Sequence, residues 1–283
     1  MTHRPGLVDL HLHTTASDGR CSPIELVEQA AAAGLSVIAV TDHDTTASVD
    51  DVCVHAAEKG IEAIPGIEIT AVEDGRDIHV LGYFLRTTDA SFREFLAGQR
   101  RIRVDRVQAI AGRLAQLGMP VDLSEALAAA GLQSGRAIGR PQVARAMVAA
   151  GHVADTREAF DRWLGRDRPA FVPRSGPSPR TVIETIHIAG GLASLAHPGR
   201  TLIDHRIPAL RDAGLDALEA YHSDHDAVSA DRYHRIADAL GLLLTGGSDY
   251  HGDPVHGVSI GSSTLPSECW QQLDAARHRH AAA

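Results

Sequence analysis

Apolar residues follow two rhythms along this chain. Short runs at 7–13, 36–41, 62–65, 78–85, 192–196, 216–221 and 242–246 have the length of buried strands. Between several of them apolar positions recur at helical spacing, over about 23–34, 50–60, 179–190 and 227–240. Ser22 and Pro23 mark the start of the first helix and Gly34 its end, while Gly60, Gly190-Gly191 and Gly241 close the others. Strands alternating with helices imply parallel pairing, and seven such runs predict an α/β fold closed as a (β/α) barrel. Residues 90–174 break the rhythm: they offer helical stretches near 123–130, 141–150 and 156–164 and an arginine-rich one around 100–106, with no strand run. The chain is therefore read as a discontinuous barrel, 1–89 and 175–283, carrying a helical insertion at 90–174.

The polar residues that interrupt this pattern fall at strand ends. The first run reads Val8-Asp9-Leu10-His11-Leu12-His13, so alternation puts Asp9, His11 and His13 on one face. The second leads into Thr41-Asp42-His43-Asp44, the third into Gly66-Ile67-Glu68, and the fourth opens with Ile78-His79. The fifth gives Ala196-His197-Pro198, the sixth Tyr221-His222, and the seventh Ser248-Asp249-Tyr250-His251. In a parallel barrel the carboxyl ends of the strands share one rim, where active sites form. Residues far apart in the chain would thus meet there, and imidazole with carboxylate is a donor set for divalent cations.

Composition narrows the reading. The 283 residues can bury a substantial core, and 44% hydrophobic with 22% charged content is ordinary for a globular protein. A formal charge of -9 means that any phosphate or nucleic-acid site must rest on a local basic patch or on bound cations. Cys21, Cys53 and Cys269 have no metal-binding or paired spacing and suit a reducing compartment. The first residues lack the apolar stretch of a signal peptide, and no run approaches a membrane span, so a cytoplasmic location is expected. The tail at His278-Arg279-His280 is expected to be disordered, and its histidines are set aside.

Taken together, Asp-Leu-His-Leu-His-Thr, Ser17-Asp18-Gly19, Thr41-Asp42-His43-Asp44, Gly66-Ile67-Glu68, His79, Ala196-His197-Pro198 and Gly247-Ser248-Asp249-Tyr250-His251 resemble the polymerase and histidinol phosphatase (PHP) family. The resemblance covers both halves of the barrel and implies a distorted (β/α)7 barrel with up to three metal ions. By motif, the first ion would take His11, His13, Glu68 and Asp249; the second Glu68, His79 and His197; the third Asp18, His43 and His251. The helical insertion is similar to that of the subgroup that removes the 3′-phosphate of nucleoside 3′,5′-bisphosphates or trims short 5′-phosphorylated RNA.

Clustered cations suit phosphate-ester hydrolysis because they neutralise the phosphate and acidify an attacking water. His222, where it is not a ligand, or Asp42 would protonate or orient groups at the leaving oxygen. Asp9 and Asp44 are candidates to orient histidine rings. A second phosphate needs arginine, and Arg136, Arg140, Arg174 and Arg200 are the candidates, whereas Arg100, Arg101, Arg103 and Arg106 read as a solvated helix face. With only 4% aromatic residues, a small phosphorylated substrate or a short strand end is favoured over extended nucleic acid. Sulfur-free His/carboxylate ligation suits Mn, Fe or Zn equally. The leading expectation is a bisphosphate phosphatase; an oligonucleotide exonuclease, a histidinol-phosphate phosphatase and a non-catalytic metal-binding regulatory module are the alternatives.

Overall fold

The computed structural model describes residues 6–131, 135–253 and 257–280. Among them the apolar runs become seven strands, β1 Leu7–Leu12, β2 Leu35–Val40, β3 Glu62–Glu73, β4 Arg76–Tyr83, β5 Leu192–Leu195, β6 Ala217–His222 and β7 Leu243–Gly247. They form one sheet in sequential order that curls into a nearly closed barrel. Closure comes from a parallel bridge between Leu12 and Tyr250, with His13 N–H donating to the Tyr250 carbonyl at 3.0 Å. Gly247 permits that approach: a Cβ there would sit 2.3 Å from the backbone nitrogen of His11.

The helices between strands are α1 Pro23–Ala32, α2 Val49–Glu58, then, beyond the insertion, α7 Pro179–Ile188, α8 Pro198–Thr201, α9 Ile207–Asp212, α10 Ala227–Leu240 and α11 Ser267–His280. Ser22 and Glu25 close a capping box on α1, satisfying two of the free amides at its start. Helix α11 runs on to His280, so the stretch expected to be disordered is helical that far, and Ala281–Ala283 lie outside the described residues. No helix among the described residues is long and apolar enough to cross a membrane.

One expectation about pairing is corrected. β1, β2 and β3 pair in parallel, as do β5, β6 and β7, but β4 is antiparallel to both β3 and β5. Asp74 and Gly75 both have positive φ and form a two-residue hairpin turn, too short for any crossover. The reversal explains why a residue near the start of its strand reaches the carboxyl rim: His79 lies opposite Thr70, two residues past Glu68. β3 first pairs with β2 through Pro65 and then with β4 from Gly66, so Glu68 sits just beyond the switch.

Residues 90–164 hold α3 Ala90–Gln116, α4 Ser124–Ala129, α5 Arg140–Ala149 and α6 Thr156–Ala159, which continues into a π-helical turn, Phe160–Leu164. Val107, Ile110, Leu114, Val143, Met147 and Leu164 give these helices an apolar cluster of their own, apart from the barrel core around Leu10, Ile67, Val80 and Leu195. Polar contacts join the two: Ala137 N–H donates to Ala16 O at 2.8 Å, Gln142 Nε2 to Ser17 O at 2.5 Å and Arg145 Nη1 to Asp18 O at 3.1 Å.

Candidate metal centre

The strand ends deliver His11 and His13 from β1, His43 from the loop after β2, Glu68 from β3, His79 from β4, His197 after β5, and Asp249 and His251 after β7. His11 Nε2 lies 3.4 Å from Glu68 Oε2 and 3.3 Å from Asp249 Oδ1, and His13 Nε2 lies 3.3 and 3.1 Å from the same two oxygens. The other oxygen of Glu68 faces His79 Nδ1 at 2.7 Å and His197 Nε2 at 3.0 Å. Asp18 meets His43 Nε2 at 3.5 Å, His251 Nε2 at 3.3 Å and His13 Nδ1 at 3.7 Å. All nine residues expected as ligands thus converge. Glu68 stands between the groups, with one oxygen toward His11, His13 and His43 and the other toward His79 and His197.

Several of these donors are buried with nothing to do in the protein alone. His11 Nε2, both ring nitrogens of His13, and His43 Nδ1 are inaccessible yet make no hydrogen bond. Leaving such groups unpaired costs free energy, and a cation that takes up their lone pairs relieves it. Groups of three or four side chains, such as His13, Asp18, His43 and His251, converge closely enough to hold one ion. The backbone also departs from relaxed geometry here: His197 and Asp249 both hold positive φ, at 26° and 56°.

Electrostatics prepare the same donors. Burial opposes ionisation of Asp18, Glu68 and Asp249, but the surrounding imidazoles outweigh it and hold all three well below the usual carboxylate range. Burial drives His43 down to about 3 and His197 to about 4, so both rings are neutral and able to ligate. Burial acts the same way on His251, but Asp18 and Asp249 overcome it and raise that ring to about 10.

The residue that orients His11 is one the sequence reading missed. Glu219, fully buried in β6, faces His11 Nδ1 at 2.9 Å and accepts the backbone N–H of His197 at 2.7 Å. An ionised carboxylate only accepts, which puts the proton of His11 on Nδ1 and leaves Nε2 for a cation. A lone acid in the apolar run Ala217-Leu218-Glu219-Ala220 was the available signal.

Asp9 does not orient a histidine ring. It accepts Ser248 N–H, Ser248 Oγ and Gly261 N–H at 2.9, 2.7 and 3.0 Å, and burial raises it to about 6. Asp42 is corrected more sharply: its two oxygens take Thr14 N–H, Thr14 Oγ, Ser17 Oγ and Ser48 Oγ, and it lies outside the cavity lining. With its acceptor positions engaged by the fold, it is in no position to hand a proton to substrate. His222 does face the centre, with Nε2 3.4 Å from Asp249 Oδ2. Its Nδ1 accepts the Asp224 N–H at 3.0 Å, so Nε2 carries the ring proton.

One cavity of about 680 Å³ opens over Glu68, His79, His197, Asp249 and His251 and is bounded opposite them by the insertion. Arg140, Arg174 and Arg200 line it, whereas Arg136 is exposed and does not. The reading of the helical arginines as solvated fails for Arg103, which is buried, and for Arg106, which lines the cavity. Asp77 pairs with Arg106 at 3.3 Å and with Arg140 at 3.8 Å. Asp44 receives Arg103 Nε at 2.5 Å and Arg174 Nη2 at 2.7 Å, so it holds arginines rather than a histidine. Four guanidiniums therefore gather around two carboxylates, an excess of positive charge on the wall facing the cage.

The PHP domain family profile matches residues 9–161, more than half of the chain. The chain belongs to the PHP family. This bears out both the resemblance read from the strand-end motifs and the barrel fold. The chain is 37% identical over 248 residues to a 5′-3′ exoribonuclease of Haemophilus influenzae, covering 86% of this chain and 89% of that protein. It is 29% identical over 277 residues to a 3′,5′-nucleoside bisphosphate phosphatase of Chromobacterium violaceum, covering 95% and 96%. A solved Bifidobacterium adolescentis structure, assigned as a metal-dependent phosphoesterase, superposes with a TM-score of 0.86 at 32% identity, covering 96% of this chain and 97% of that one. This PHP-family protein is an enzyme, a metal-dependent phosphoesterase, and the reading as a non-catalytic module is set aside.

Proposed function

We propose that this PHP enzyme hydrolyses the 3′-phosphate of nucleoside 3′,5′-bisphosphates, for example converting adenosine 3′,5′-bisphosphate to AMP. The observation that carries the reading is the shared cavity: at about 680 Å³ it suits a nucleotide, with a cage for cations on one wall and an arginine cluster on the other. A substrate with two phosphates matches that division, one at each wall.

Three cations fit the donor set. His11, His13, Glu68 and Asp249 would hold the first, Glu68, His79 and His197 the second, and Asp18, His43 and His251 the third. Neutral imidazole and carboxylate without thiolate suit Mn, Fe or Zn. When bound, such cations supply charge neutralisation at the phosphate and a more acidic attacking water. Glu68, whose two oxygens face different histidines, would contribute to both of the first two positions. His222, with Nε2–H directed toward Asp249, orients that carboxylate and the group it holds through a hydrogen bond, without giving up the proton. Arg140 and Arg174, with Arg106, receive the distal phosphate, while Arg200, half-exposed and paired with Asp249 at 3.2 Å, lines the same cavity. Residues 90–174 act as the substrate cap.

A second reading, a 5′-3′ exonuclease on short RNA, is favoured by the 37% identity to the Haemophilus influenzae enzyme. The two are separated by a substrate panel with purified enzyme and Mn²⁺. Faster phosphate release from adenosine 3′,5′-bisphosphate than from histidinol phosphate, and faster than cleavage of 5′-phosphorylated RNA trimers, is expected. Preference for the trimers transfers the assignment to the second reading, and inactivity on both nucleotide substrates overturns the two together.

A further inference from the structure

Asp44 stands immediately after His43, is fully buried and adopts a left-handed backbone conformation with φ of 52°. An aspartate there carries a conformational cost, so its side chain must be held for some purpose. Its Oδ1 accepts the Thr70 N–H at 3.0 Å, and its own N–H donates to the Glu68 carbonyl at 2.9 Å. These two bonds fix the loop carrying His43 against the strand carrying Glu68.

The remaining oxygen serves a different region. Asp44 Oδ2 accepts Arg103 Nε at 2.5 Å and Arg174 Nη2 at 2.7 Å. Arg103 lies in α3, at the start of the insertion, and Arg174 lies at its end. A single carboxylate therefore pins the middle of α3 and the last residue of the insertion to the loop that bears a cage histidine. Arg103 spends Nη2 on Thr70 Oγ1 at 3.0 Å, whereas Arg174 Nε is buried without a partner, and both arginines line the cavity. An unpaired guanidinium donor buried at the cavity wall is a group still waiting for an acceptor.

We propose that Asp44 is a positioning residue for substrate recognition: by clamping Arg103 and Arg174 to the His43 loop, it sets the distance between the arginine wall and the cage, and so selects esters carrying a second anionic group. This rests on the reading that the distal phosphate meets the arginine wall. The clamp acts through the arginines and touches neither the reacting phosphate nor a cation.

The test is Asp44→Asn, chosen because asparagine tolerates positive φ and keeps an oxygen for Thr70 while losing the charge that holds both arginines. Kinetics would be measured on adenosine 3′,5′-bisphosphate and on adenosine 3′-monophosphate, which lacks the distal group, with metal content and melting temperature followed in parallel. We expect KM for the bisphosphate to rise about tenfold with kcat held within about twofold, while KM for the monophosphate moves much less. Arg174→Lys should erode the same discrimination, and the double variant should fall short of the summed effects because the two residues act as one unit. Equal losses on both substrates, loss of bound metal, or unchanged discrimination would each overturn the proposal. If Asp44→Asn does not fold, Arg103→Lys, which loosens the clamp at an arginine not assigned to the phosphate, decides between these outcomes instead. If the wild-type enzyme trims RNA and ignores the bisphosphate, the functional reading fails by itself. The clamp is then tested on trinucleotides with and without a 5′-phosphate.

Discussion

The two walls of the cavity are built in opposite ways. The cage uses short side chains at strand ends, held by backbone geometry and by buried acceptors such as Glu219. The arginine wall uses long side chains drawn mostly from the insertion and held by ion pairs to Asp44 and Asp77. Charge follows the same division. Residues 90–174 carry 14 of the 27 Lys and Arg but only 8 of the 36 Asp and Glu, so the rest of the chain is strongly acidic. Acidity suits a region that gathers cations, and a basic cap suits one that attracts an anion. The cage is thus fixed by the strands themselves, whereas the arginine wall depends on carboxylates from other elements to hold its long side chains in place.

That division can be broken experimentally. Glu68→Gln removes the carboxylate shared between the ligand groups, and turnover should fall by roughly 10²–10³-fold. Metal analysis of the purified variant should show lost ions, while equilibrium binding of the bisphosphate through the arginine wall persists more weakly. If binding vanished completely, the walls would not be separable. Glu219→Gln touches no ligand atom facing the cavity, yet it should weaken cation affinity by about 10–100-fold because His11 loses its anchor. Metal titration of the apoprotein reads this directly. On the other wall, Arg140→Ala should raise KM for the bisphosphate by about tenfold with kcat and metal content little changed. A matching fall in kcat would place Arg140 in the chemistry.

The smallest expected effect is a pH dependence. Metal-free protein carries His251 with its value raised from 6.5 to about 10. A raised value means that the folded state holds this proton more tightly than the unfolded chain. The contribution is full below 6.5 and is lost as pH rises through about 10. Thermal melts in chelator should therefore drop by roughly a few degrees between pH 7 and 10. Cations displace the proton, so the metal-loaded protein should not show this decline. Identical profiles with and without metal would remove His251 from the cage.

Most of the cage was readable in the sequence because its members sit in short motifs at the ends of apolar runs, whereas Asp18, in the loop after β1, came only from the family resemblance. His79 was found for an incomplete reason: the Asp74-Gly75 turn reverses β4, and a pattern of apolar runs carries no sign of strand direction. The arginine wall was far less readable. Helical spacing in α3 leaves Arg103 and Arg106 looking like any solvated face, since only tertiary packing reveals that Asp44 and Asp77 wait opposite them. Asp42 and Asp44, two residues apart, were expected to serve the centre, yet one saturates hydroxyls and the other arginines. Pattern locates such a carboxylate; its partners come from elements far away in the chain.

The bridge between Leu12 and Tyr250 that closes the barrel has a consequence for how the enzyme is made. His11 lies in β1 and Asp249, 3.3 Å from it, just after β7, so all seven strands must be made before the two can meet. A nascent chain lacking β7 has the histidines but not Asp249 or His251, and can offer a cation only a partial set of donors. A full set of donors thus exists only once the barrel is complete, and an ion held by both its first and last strands would act as a latch on the finished fold.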